Sequence, residues 1–90
     1  PLGRQGQRVR KDSDREVWSK QLVDGSRAVI LFNRGEAEQN IVATWEDIGY
    51  PGKVVASVRD LWQHKDLGKQ SGKFGAAVPP HGVVMLTVQP

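Results

Sequence analysis

The chain contains no cysteine, which excludes a disulfide framework and any thiolate metal site. Many secreted proteins also lack the residue, so its absence does not fix a compartment. No apolar run approaches the roughly 20 residues needed to cross a bilayer as a helix. The sequence has no glycine-rich phosphate loop, no zinc-type spacing and no dinucleotide fingerprint. A net charge of +3 is too small to imply nucleic acid. The acids Asp12, Asp14 and Glu16 interleave with Arg8, Arg10, Lys11 and Arg15, the pattern of a solvated hairpin. Pro1 to Gly6 include neither an initiator methionine nor the apolar core of a signal peptide, so the chain is expected to be part of a longer protein.

What is present is short apolar runs separated by turn residues. Val9 between charges predicts an edge strand from Gly6 to Lys11, with Lys11-Asp12-Ser13-Asp14 turning the chain. From Arg15 to Leu22, Glu16, Trp18, Lys20 and Leu22 share one face while Val17, Ser19 and Gln21 share the other. Asp24-Gly25 predicts a tight hairpin into the run Arg27 to Asn33. Asn33-Arg34-Gly35 turns into a strand over Gln39 to Trp45. Thr44-Trp45-Glu46-Asp47 has the spacing of a helix cap, but Gly49, Pro51 and Gly52 limit it to one turn. Strand character resumes from Lys53 to Leu61, and Lys65-Asp66-Leu67-Gly68 carries the polar residues and glycine of a reversal. A further strand ends at Val78, Pro79-Pro80-His81-Gly82 makes a crossover, and Val83 to Val88 closes the chain. The expected fold is an all-β antiparallel Greek-key sandwich of seven or eight strands, forming a single domain over residues 1–90. In Ala28 to Phe32 and Val83 to Val88 both faces are apolar, which predicts that something outside the chain covers one side of the sheet.

Candidate chemistry is sparse. His64 and His81 are the histidines, and neither has a serine or cysteine partner at a recognised spacing. His64 is expected in an exposed turn, and the His81 imidazole is expected to tie down its corner through backbone hydrogen bonds. Asp12 and Asp14 read as turn residues rather than calcium ligands, because no glycine-punctuated acidic loop surrounds them. Trp18, Trp45, Trp62, Phe32, Phe74 and Tyr50 are the rings from which a sugar-stacking platform would be built, but the strand positions of Trp18, Trp45 and Trp62 favour the core for each. No catalytic, cofactor-binding or metal-binding residue is assigned.

Four blocks, in order, resemble the C-terminal β-sandwich domain of family 27 glycoside hydrolases, chiefly the α-galactosidases. They are Pro1-Leu2-Gly3 with Gln5-Gly6; Glu16-Val17-Trp18 with Leu22; Ala28-Val29 through Asn33-Arg34; and Arg59-Asp60-Leu61-Trp62 with His64, followed by Val78 and Pro80-His81. Gln21 departs from the pattern, standing where a proline is common in relatives. The resemblance implies an eight-stranded sandwich packed beside an N-terminal (β/α)8 catalytic barrel that carries both catalytic aspartates and binds the galactoside. The barrel's tyrosine, lysine and aspartate nucleophile motif has no counterpart here. The expected role is therefore a non-catalytic packing and stabilising domain without cofactor, nucleic-acid or membrane partner; the compartment of the parent stays open, the resemblance favouring a secreted or periplasmic protein over a cytoplasmic one. The alternatives are a carbohydrate-binding module or an interaction domain of another multidomain hydrolase.

Overall fold

Eight strands and no helix make up the described part of the chain, residues 7–90 of the computed structural model. The block Pro1-Leu2-Gly3 with Gln5-Gly6 lies outside the described residues. The strands are β1 (Gln7–Asp12), β2 (Arg15–Gln21), β3 (Arg27–Asn33), β4 (Gln39–Thr44), β5 (Val55–Asp60), β6 (Lys65–Ser71), β7 (Lys73–Val78) and β8 (Val83–Gln89). They pair antiparallel into a six-stranded sheet, ordered β1-β2-β3-β8-β5-β6, and a two-stranded sheet of β4 and β7. β8 returns from the small sheet to lie between β3 and β5, which gives the nonsequential, Greek-key character.

Alternation along each strand decides what the two sheets bury between them. Val17, Val29, Leu31, Val58, Leu86 and Val88 of the large sheet face Ile41, Ala43 and Val78 of the small one, each at most 2 % exposed. Register makes this a shared layer, because Val17 stands opposite Leu31 and Val29 opposite Leu86. Trp45, Ile48 and Tyr50 complete the core from the segment between β4 and β5. That segment is the single capped turn the sequence predicts. Thr44 Oγ1 accepts from the Asp47 amide at 3.2 Å and Asp47 Oδ2 from the Thr44 amide at 3.4 Å, while three successive i to i+3 backbone bonds wind residues 44–49. The wound turn swings Trp45 inward, where its indole donates to Gln70 O at 3.3 Å.

The hairpin at Asp24-Gly25 forms as expected. Gly25 adopts φ +87°, and the Asp24 carboxylate accepts from both the amide and the hydroxyl of Ser26. The reversal before β6 does not fall where the sequence places it. The chain turns at Leu61–His64, and Lys65-Asp66-Leu67-Gly68 is already strand. Asp60 explains the shift, since its carboxylate accepts from the amides of Trp62 at 2.8 Å and Gln63 at 3.0 Å and closes the turn four residues early. Gly68, with φ +81°, serves instead at a bulge in β6.

Asn33 holds the crossing from β3 to the small sheet. It is fully buried, donating to Ala37 O at 2.8 Å and Val78 O at 3.0 Å and accepting from the Gly35 amide at 2.8 Å. The sequence marks it only as a turn residue. At the opposite end Tyr50 donates to Gly25 O at 2.7 Å, and Arg27 lies 4.5 Å above its ring while bonding Ile48 O. Burial raises the Tyr50 hydroxyl above its ordinary pKa, against the lowering effect of Arg27.

A candidate interaction surface on the large sheet

The outward face of the large sheet carries the side chains that the inward face leaves out. Cross-strand register arranges them in three rows. The central row runs from Arg8 through Trp18, Ile30 and Met85 to Leu61, whose amide bonds Met85 O at 3.0 Å. One flank is Glu16, Phe32 and Val83. The other is Lys20, Ala28, Thr87, Arg59 and Asp66. Trp18, Lys20, Ile30, Leu61 and Met85 border an open groove of about 410 Å³. This is the second apolar face that Ala28 to Phe32 and Val83 to Val88 predict, and among the described residues it is only partly covered.

Two tryptophans expected in the core belong to the surface. Trp18 is half-buried on the outward face, because Val17 takes the inward position of that alternation. Trp62 is 78 % exposed, because the Asp60-closed turn lifts it off the sheet at the residue after Leu61. Trp45 is in the core as expected. Tyr50 is also buried, Phe74 packs against the core, and Arg34 covers Phe32 at 4.7 Å, so the six rings do not form one platform.

Glu16 is the residue of this face whose environment the sequence conceals. The pattern of mixed charges predicts a solvated side chain, yet Glu16 is 1 % exposed. Trp18 Nε1 donates to its Oε1 at 2.9 Å and Arg34 Nε to its Oε2 at 2.5 Å, with Arg8 at 3.9 Å. Burial alone raises the carboxyl, but the bonds from Trp18 and Arg34 and the charges of Arg34 and Arg8 outweigh it, holding the pKa below the ordinary 4.5. A depressed folded-state value makes the pairing stabilising above pH 4.5 and lost as pH falls through the lowered value. Urea unfolding across that acid range is expected to show this loss, and Glu16→Gln is expected to flatten it. Asp24, also lowered by its bonds from Ser26, contributes a slope of the same sign.

The remaining candidates are not brought together. His64 and His81 are exposed in different turns, each with φ 54°. It is the His81 amide that ties its corner, donating to Gly35 O at 3.2 Å, and not the imidazole the sequence points to. Asp12 and Asp14 flank the exposed β1–β2 turn, where Asp12 pairs with Arg15 at 3.2 Å. Among the described residues no group of three or more His, Asp and Glu side chains is placed to hold a metal ion. No helix among them is long and apolar enough to cross a membrane.

A sequence profile for the alpha-galactosidase C-terminal beta-sandwich domain matches residues 12–88. Alpha-galactosidase 2 of Arabidopsis thaliana is 41% identical over 87 residues, covering 97% of this chain and 22% of its own length. The crystal structure of alpha-galactosidase I from Mortierella vinacea superposes with a TM-score of 0.88 at 32% identity, over 92% of this chain and 22% of that one. A family 27 β-L-arabinopyranosidase from Geobacillus stearothermophilus gives 0.87 at 26% identity, over 96% of this chain and 19% of that one. The chain spans about a fifth of the length of the curated relatives it matches. It belongs to the α-galactosidase C-terminal β-sandwich domain family of glycoside hydrolase family 27.

Proposed function

We propose that this chain is the non-catalytic C-terminal domain of an α-galactosidase, and that it stabilises the N-terminal catalytic barrel by docking the outward face of its large sheet. The observation that carries the reading is that face: a row of Trp18, Ile30, Met85 and Leu61 beside a raised Trp62, on a domain whose relatives are about five times longer. An exposed tryptophan on a backbone-fixed turn beside an apolar groove has the form of an interface anchor. Retaining glycoside hydrolysis needs two carboxyl groups about 5 Å apart across a cleft. Glu16 is tied to two arginines and a tryptophan, which suits it to holding structure rather than transferring protons. A relative of nearly the same shape is a β-L-arabinopyranosidase, which favours a domain that does not choose the sugar.

The purified chain is therefore expected to release no nitrophenol from an aryl α-galactoside. Turnover that disappears on changing one Asp or Glu of this chain would overturn the reading. The exposure of Trp62 also favours a second reading, a carbohydrate-binding module. Under it, Trp62→Ala abolishes retention of the chain on immobilised galactomannan; under the docking reading the chain is not retained at all.

A further inference from the structure

Arg34 stands where the chain leaves β3, its amide fixed on Asp14 O at 2.7 Å. Its side chain is held twice more, by Nε on Glu16 and by the guanidinium over Phe32 at 4.7 Å, yet it remains 52% exposed. Among the described residues its two terminal amino groups make no hydrogen bond, so an immobilised guanidinium presents an unused fork. Arg8, 47% exposed, approaches the same Glu16 oxygen from the neighbouring strand. Two guanidinium groups over one carboxylate leave a net positive charge at the edge of the apolar rows.

We infer that Arg34 is a carboxylate anchor, its terminal amino groups receiving an aspartate or glutamate side chain of the catalytic domain that covers the outward face. This rests on the docking reading and adds to it the chemistry of the partner surface. The argument is charge complementarity. A partner that covers Phe32 and Val83 also removes water from Arg34, and a desolvated cation beyond the count of its anions is costly unless the partner supplies one. A planar guanidinium receives a carboxylate through two parallel bonds, which fixes direction as well as contact. The side-chain entropy that such a bond ordinarily costs is already spent here, because Glu16 and Phe32 hold the group in place before any partner arrives.

The experiment is phenylglyoxal labelling read by mass spectrometry, on the 90-residue chain and on the full-length parent, with Trp62 oxidation as a marker of docking in the same samples. Arg34 is expected to label in the chain and to be protected at least tenfold in the parent, along with Trp62. Arg34→Gln is expected to lower the parent's melting temperature by more than it lowers the chain's, with Arg34→Lys recovering part of the difference. Arg34 labelled equally in both, with Trp62 protected in the parent, overturns the anchor and leaves the docking reading standing. Equal losses from Arg34→Gln in chain and parent also overturn it, since the arginine then serves Glu16 alone. Arg34 and Trp62 both open in the parent overturn the anchor and the docking reading together.

Discussion

Trp45→Ala is expected to cost the chain about 3–5 kcal/mol, while Trp62→Ala costs less than about 0.5 kcal/mol. Both tryptophans follow a strand, and their sequence surroundings are alike. The difference lies in the turn each one joins. Thr44 and Asp47 cap a turn that carries Trp45 between the sheets, where it is fully buried and its indole reaches Gln70 O. Asp60 caps a turn that carries Trp62 away from them, leaving it 78 % exposed. Removing the Trp45 ring opens a cavity between Ile41, Ala43 and their neighbours, in a domain whose small size leaves little stability to spare. Removing the Trp62 ring leaves no void. Urea midpoints for the two variants separate them, and a large loss from Trp62→Ala would mean that the turn folds back onto the sheet.

The β-sandwich was legible because alternation, turn residues and the short apolar runs all point the same way. The Asp24-Gly25 hairpin and the capped turn at Thr44 were read from residues whose local chemistry is nearly sufficient. The start of β6 is not legible because two segments in succession carry turn residues, and Asp60 decides between them through bonds to amides that a sequence pattern does not show. The outward apolar face was visible in part. Ala28 to Phe32 and Val83 to Val88 announce a second apolar surface, but which side of β2 is inward depends on its register with β3, and with it the placement of Trp18. Glu16 and Asn33 were missed because burial of a polar residue follows from partners distant in sequence. Glu16 meets Arg34, 18 residues on, and Asn33 meets Val78, 45 residues on. One signal for Glu16 was available: a carboxylate in mid-strand on the same face as a tryptophan two residues away, with arginines on the neighbouring elements.

The second large effect concerns the parent protein. The outward face leaves Trp18, Ile30, Phe32 and Met85 half-covered and Trp62 and Val83 exposed. Domains of one chain commonly join over about 600–1,500 Å². Burial of that face stabilises the folded, joined state alone. Each kcal/mol of docking free energy raises the melting temperature of a domain of this size by about 4–8 °C, so about 2 kcal/mol separates docked from free sandwich by roughly 10 °C. Calorimetry of the 90-residue chain and of the full-length parent in one buffer is the most direct test. The docking account predicts one cooperative transition in the parent, well above that of the chain alone. Two independent transitions in the parent, with the sandwich melting at the same temperature as the isolated chain, would contradict it.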